Sequence, residues 1–520
     1  MDIKSNPNNL PFLQAQILQK IFYDIYYKRK TSLIELAQIT DYPPNSKILK
    51  DAISSLETKG FLNGEKDGFS VPENQTSLME SIIKQSDLKQ KSYSDDLTKF
   101  CRKGHISEKL FELPNSVNEL NKQGVVHQWY DYLEDFPFQL IDDKIKEYNL
   151  SPRSLIVEPF AGSGTTLISA KMLNHNSIGF DTNPLMTYIS KIKTTWNIDL
   201  KEFLNTVESI AKQFIMNIKN YENLDIKPGF LNYMPKKELN QWLSPTLRIE
   251  VAVLKHYISK IKNINLKNLL LLAMSKSCFE ASYVSLCPGT TFYPFREKES
   301  LWDIFSKRVI IIYDDLKKIQ QHHDFGNATL INDTCLNANQ YIDKNTIDFI
   351  ITSPPYPNDL EYTRQTRLEL YLLDFVKNMD EVQQIKRKMV KGSTKLIFKE
   401  SNSELYINKY KSIKAVSDAV YNQTKDKKWG FDYPRMVKEY FGDMYLCMKE
   451  FYPLLKSNAH FLLVVGDQTI KGVYVPVCDI LLEMARELGY KNCKKELFRI
   501  RRSTGHNIEL PEEIVVLQKD

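Results

Sequence analysis

The feature that most constrains this chain is an apolar run that breaks at two closely spaced glycines and resumes as a helix. It reads Leu155-Ile156-Val157, then Glu158-Pro159-Phe160-Ala161-Gly162-Ser163-Gly164, then Thr165-Thr166-Leu167. A strand that passes through a G-x-G turn into a helix offers free backbone N–H groups at the helix N-terminus, and glycine lets the backbone approach a bound group closely. A second apolar run follows at Ser177–Phe180, so strand, turn, helix and strand succeed one another as in a βαβ unit. Further strands are expected at Thr346–Thr352 and His460–Val465. The expected fold class is therefore α/β with a mainly parallel sheet. Gly164 is followed by Thr165-Thr166 and not by Lys, which argues against a Walker loop, and the third glycine of a dinucleotide fingerprint is missing.

Two further segments carry chemistry. The second strand ends in Gly179-Phe180-Asp181-Thr182-Asn183-Pro184. A carboxylate there can accept both hydroxyls of a ribose, so Asp181 favours a nucleoside ligand, with helix capping as the alternative. The third strand runs directly into Thr352-Ser353-Pro354-Pro355-Tyr356. Consecutive prolines hold the chain stiff and extended just past the strand's carboxyl end. Such a tip suits work on an exocyclic amine, a poor nucleophile because its lone pair is delocalised into the ring. With Ser353 Oγ and the Pro354 carbonyl accepting its hydrogens, the nitrogen is drawn toward tetrahedral geometry and its lone pair is freed. No Cys in this chain directly follows a Pro, so a Pro-Cys nucleophile is absent.

The segments E-P-F-A-G-S-G-T-T and G-F-D-T-N-P resemble the first two cofactor motifs of the S-adenosylmethionine-dependent amino-methyltransferases that act on DNA. His127-Gln128-Trp129 with Phe136-Pro137-Phe138-Gln139-Leu140 is similar to that family's F-P segment, which closes over the methionine end of the cofactor. The resemblance implies a Rossmann-like class I methyltransferase sheet and S-adenosyl-L-methionine as cofactor. It implies cofactor contacts from Phe136, Pro137, Glu158, Phe160, Ala161, Gly162, Ser163, Gly164, Thr165 and Asp181. In Ala328-Thr329-Leu330-Ile331-Asn332-Asp333-Thr334 it points to Asp333 as acceptor for the adenine amino group, against simple capping. Ser353, Pro354, Pro355 and Tyr356 correspond to the catalytic tetrapeptide, with Tyr356 stacking on a base flipped out of the duplex. T-S-P-P-Y looks more like the cytosine-N4 members than the adenine-N6 members. Val464-Val465-Gly466-Asp467 resembles the family's V-G-D segment and is read as pocket wall.

Organisation and charge complete the reading. At 520 residues the chain holds more than one unit. Residues 1–75 resemble a winged helix-turn-helix, with helices at Phe12–Tyr27, Ser32–Ile39 and Ser46–Lys59 and a glycine-bearing hairpin over Phe61–Val71; a small dimerisation module is the alternative. Residues 76–124 read as a linker, 125–200 as the cofactor half, 201–325 as a helical insertion and 326–520 as the catalytic half. The net charge is +6, yet residues 376–440 alone hold 15 Lys and Arg against 8 Asp and Glu. That segment contains Lys386, Arg387, Lys388 and Lys391 with Tyr406, Tyr410, Tyr421 and Trp429 interleaved, which suits phosphate attraction and base contacts; a solvated basic face is the alternative. Arg364 and Arg367 are further candidates for phosphate contact, and Arg499-Ile500-Arg501-Arg502 is a second basic cluster without an assigned use.

Seven cysteines form no C-x-x-C pair, so no metal site is expected and a reducing compartment is. With no signal core and no long apolar run, the expected location is the cytoplasm. The resemblance implies double-stranded DNA and a cognate restriction endonuclease as partners; the oligomeric state is open. Two rival readings are an RNA or protein-glutamine methyltransferase and a DNA-binding regulator without activity.

Overall fold

A computed structural model describes residues 14, 17, 18, 21, 33, 36, 45–65, 68–77, 79, 124–130, 132, 136–218, 226, 228–286, 291–292, 299–427, 432–502 and 508–520. The chain divides into two compact units. One joins residues 112–197, 314–366 and 379–520; the other joins 1–111, 198–313 and 367–378.

The first of these units is built on a seven-stranded sheet. Its strands are β1 (Leu155–Glu158), β2 (Asn176–Phe180), β3 (Ala328–Ile331), β4 (Ile347–Thr352), β5 (Leu455–Gly466), β6 (Lys491–Arg502) and β7 (Glu509–Gln518), in the spatial order β6-β7-β5-β4-β1-β2-β3. The pairs from β5 through β3 are parallel, whereas β7 is antiparallel to both β5 and β6. The central parallel strands β1 and β4 and the second half of β5 are mainly apolar because both faces are covered. Val157, Ile350 and Phe461 point into one core with Tyr440 and Phe441 of a long helix (Tyr433–Phe451). Their neighbours Ile156, Phe349, Ile351 and Leu462 enter the opposite core with Ile141 and Ile145 of the helix Phe138–Glu147.

The strand order determines where a ligand can sit. From β1 the chain steps outward to β2 and β3, then returns to place β4 on the other side of β1. β1 and β4 are neighbours at the point where the winding reverses, and in open α/β sheets ligands bind in the crevice outside the carboxyl ends of such strands. The helix after β1 (Thr165–Met172) begins at the glycine turn, and the helix after β2 (Pro184–Lys193) is capped by Asn183, whose side chain accepts from Leu185 N–H.

In the other unit, the N-terminal helix Lys47–Thr58 is capped by Ser46 and followed by a hairpin of Asn63–Glu65 with Gly68–Ser70, as expected. Leu49, Ile53 and Leu56 pack with Phe61, Leu62, Ile17 and Leu18. The helices expected at 12–27 and 32–39, and the linker at 76–124, lie mostly outside the described residues. The helical stretch after the cofactor half contains Leu200–Ile218, Pro245–Ser259 and Ile264–Ala281, the last two started by Ser244 and Asn263 caps. Among the described residues no helix is long and apolar enough to cross a membrane, and no cluster of His, Cys, Asp and Glu has the arrangement of a metal site.

Candidate active site

The carboxyl ends of β1, β2 and β4 open into one cavity of about 230 Å³. On the β1 side, Gly162 and Gly164 have φ of 49° and 89°, left-handed conformations that favour glycine. A Cβ at Gly164 would stand 2.9 Å from Ser190 Oγ and 3.1 Å from Ser190 Cα, so the turn packs directly on the next helix. Phe160, Ala161, Gly162 and Thr165 line the cavity. Asp181, at the end of β2, accepts from Asn183 N–H at 2.8 Å and from Gly162 N–H at 3.0 Å, and it faces the cavity with lone pairs to spare. Burial pushes its carboxyl up to about 7, against the pull of those two N–H groups. Asp333 follows β3 and also lines the cavity. Against the opposing effect of burial, hydrogen bonds from Asn337, Thr334 N–H and Tyr341 hold it below the usual carboxylate range.

On the β4 side, Ser353, Pro354, Pro355 and Tyr356 line the same cavity. The Tyr356 hydroxyl lies 3.5 Å from Ser353 Oγ, 2.8 Å from Glu512 Oε1 and 3.3 Å from the Val464 carbonyl oxygen. The loop behind the tip is pinned by Asp359. One of its oxygens accepts from Ser393 Oγ (2.8 Å), Thr394 N–H (2.9 Å) and Thr394 Oγ (2.9 Å), and the other from the Tyr433 hydroxyl (2.6 Å). Gly392 packs on the Tyr356 carbonyl so closely that a Cβ would come within 2.5 Å of its oxygen. The tip is thus clamped from strand, loop and helix, the rigidity that positioning a reacting amine requires.

The comparisons with known proteins fit this geometry. A family model described as DNA methylase matches residues 7–191, which span the glycine turn and Asp181. This chain is related to the DNA amino-methyltransferases. Three relatives are type II methyltransferases. M.BsoBI of Geobacillus stearothermophilus is 26% identical over 423 residues, covering 75% of this chain and 83% of that protein. M.AvaI of Anabaena variabilis is 24% identical over 404 residues (72% and 80%), and M.MvaI of Kocuria varians 22% over 462 residues (80% and 97%). The resemblance to amino-methyltransferases of restriction–modification type therefore stands, with S-adenosylmethionine as cofactor. The residues present fit that group: a glycine cradle, a half-buried acid facing the cavity from β2 and a second acid from β3.

Several candidate residues of the methyltransferase lie elsewhere than the sequence suggested. Glu158 is 1% exposed and does not line the cavity; it sits behind the turn, accepting from Phe160 N–H at 3.1 Å and from the Thr166 hydroxyl at 2.6 Å. Burial raises its carboxyl to about 8. Ser163 is buried against Lys193, Gly164 supports the turn from below, and Pro137 starts a helix while its neighbour Phe136 reaches the cavity.

The basic residues divide more sharply. Lys386 is buried in an ion pair with Glu361 at 2.9 Å, and Lys391 pairs with the buried Asp443 at 3.4 Å, so neither charge is turned toward a phosphate. Arg387 pairs with Glu400 and lies 4.5 Å over the Phe398 ring. Lys388 lines the cavity, 3.8 Å from Asp333. Arg367 is half-buried with partners of its own, whereas Arg364 is exposed. Tyr406 and Tyr421 are exposed, Tyr410 is buried, and Trp429 lies outside the described residues. Tyr132, Arg499, Arg501 and Glu512 line the cavity and were missed as site residues. Only the Arg-Ile-Arg-Arg cluster hinted at any of them.

Proposed function

We propose that this protein transfers the methyl group of S-adenosylmethionine to the N4 amine of a cytosine flipped out of double-stranded DNA, within a defined recognition sequence. The observation that carries the reading is the meeting of the glycine turn, Asp181 and the Ser353–Tyr356 tip in one cavity at the reversal point of the sheet. The bound cofactor supplies an electrophilic methyl on a sulfonium. When bound, it would be held at the turn by Phe160, Ala161 and Gly162, with Asp181 accepting from its ribose, Asp333 from its adenine and Phe136 at its other end.

Ser353 Oγ and the Pro354 carbonyl accept the hydrogens of the target amine, so that its lone pair turns away from the ring and toward the methyl. Tyr356 provides the stacking face for the extruded base. A C–N bond forms as the C–S bond breaks, and the amine's surplus proton leaves to solvent; no enzyme nucleophile is needed. Ser353 as the first tip residue supports cytosine over adenine, through its likeness to the cytosine-N4 members. The exposed Arg364 and the exposed aromatics Tyr406 and Tyr421 are the residues we assign to DNA contact, and the likeness to type II methyltransferases supports a role beside a restriction endonuclease.

The test is direct. Purified protein is incubated with methyl-labelled S-adenosylmethionine and unmethylated DNA, RNA or protein, and the DNA is digested to nucleosides. N4-methylcytosine from the wild type and none from Ser353→Ala is expected. N6-methyladenine would overturn the cytosine assignment, and label only in RNA or protein would overturn the DNA reading.

A further inference from the structure

The catalytic tip does not hold Tyr356 alone. Its hydroxyl donates to Glu512 Oε1 at 2.8 Å, and Glu512 is 3% exposed. The second carboxylate oxygen accepts from Arg499 Nε at 2.6 Å and lies 3.2 Å from Arg501 Nε. Arg501 in turn lays its guanidinium 5.4 Å from the centroid of the Tyr356 ring and donates to the Asp467 carbonyl at 3.4 Å. All four side chains line the cavity or its wall, and three of them come from the hairpin of β6 and β7. In the register, Glu512 stands opposite Arg499 on one side and Gly466 on the other. A Cβ at Gly466 would collide with the Arg501 guanidinium, so the absence of a side chain there is what lets Arg501 reach its seat.

We propose that Glu512 is a positioning residue for methyl transfer, acting through the Tyr356 hydroxyl, with Arg499 and Arg501 fixing its second oxygen. A stacking platform is useful only if its plane is set before the base arrives. The tyrosine ring can rotate about its side-chain bonds, and a hydrogen bond at its far end to a carboxylate that is itself held by two guanidinium groups removes that freedom. Such charge-assisted bonds are the strong and directional ones. Burial and the nearby Glu512 charge push the Tyr356 hydroxyl up, so it remains a donor throughout the working pH range. The basic cluster at 499–502 thereby gains a use within the pocket, beyond any general attraction for phosphate.

The inference rests on the amino-methyltransferase reading of the tip. It is tested with the full chain in single-turnover methyl transfer to unmethylated DNA, comparing wild type, Glu512→Ala, Glu512→Gln, Tyr356→Phe and Tyr356→Phe/Glu512→Ala. Loss of one charge-assisted hydrogen bond lowers the rate about tenfold to a hundredfold. Glu512→Ala and Tyr356→Phe should each show that loss while S-adenosylmethionine affinity stays within about twofold, a binding readout that also certifies folding. The double variant should be no slower than Tyr356→Phe by more than about threefold, because both changes delete the same bond. Glu512→Gln keeps one acceptor for the Tyr356 hydroxyl but loses the charge and turns an NH2 group toward Arg499, so its rate should lie between those of the wild type and Glu512→Ala.

Multiplying effects in the double variant, or full activity of Glu512→Ala, would overturn the positioning role while leaving the methyltransferase reading intact. A wild type that binds cofactor but transfers no methyl to DNA would overturn both.

Discussion

Asp181 gives the sharpest prediction, because its environment sets a pH window for cofactor binding. Its carboxyl is raised to about 7 by burial, and its free lone pairs are aimed into the cavity. Only the ionised form can accept both ribose hydroxyls. The apparent Kd for cofactor should therefore scale with the fraction ionised in the free protein: nearly constant above pH 8, doubled near pH 7, and about tenfold weaker at pH 6 than at pH 8. Hydrogen bonds to a charged acceptor are worth about 1.5–3 kcal/mol each, so loss of the two to the ribose in Asp181→Ala should weaken binding by about two to four orders of magnitude at pH 8.

The assay is isothermal titration of the full chain with S-adenosylhomocysteine at pH 6, 7 and 8 at one ionic strength. Asp181→Asn, run in the same buffers, carries the ligand's own titration and should lack the additional tenfold change. A wild-type Kd that follows the Asp181→Asn profile across this window would refute the reasoning, as would an Asp181→Ala protein that binds normally.

Other outcomes follow from individual contacts. Gly164→Ala forces a left-handed φ of 89° on alanine and presses a Cβ on Ser190, so it should cost about 2 kcal/mol or more and lower the melting temperature. Lys386→Ala removes the buried cation that faces the Glu361 carboxylate and should destabilise by about 3–5 kcal/mol without changing the salt dependence of DNA binding. Arg364→Ala should leave the melting temperature in place and reduce the slope of log K against log salt by about one phosphate contact. In the cofactor-free protein, Asp181 and Glu158 hold protons that the unfolded chain has released. The stability this confers is full below about pH 4 and is lost as pH rises through about 7 and about 8. Melting temperature should therefore fall between pH 6 and pH 8.5, and a rise across that interval would contradict the assignment.

The legible parts of this fold are those whose constraints are local. Gly162 and Gly164 announce a turn because few other residues take their φ values, and Pro354-Pro355 announces a stiff tip for the same kind of reason. β1 and β4 are largely buried and read as mainly apolar runs, interrupted in β4 only by Asp348 before the closing Thr352. β6 was invisible because it lies at the sheet edge and reads KNCKKELFRIRR, a charged stretch with no sustained alternation. The positive charges are illegible in sequence for a different reason. Whether Lys386 faces solvent or Glu361 depends on how two segments fold together, and a run of basic residues carries no trace of that. Likewise Tyr356 and Glu512 stand 156 positions apart, and only the insertion of β7 beside β5 brings them together. The motifs line the cavity; the side chains that stiffen it are brought there by tertiary structure alone.

Expressing the chain in a methylation-free host and mapping modified bases by single-molecule sequencing asks whether the Ser353–Tyr356 tip methylates DNA at a fixed sequence. N4-methylcytosine at one recurring motif is expected, present with the wild type and absent with Ser353→Ala. An unmodified genome, in cells that accumulate folded protein able to bind S-adenosylmethionine, would contradict it.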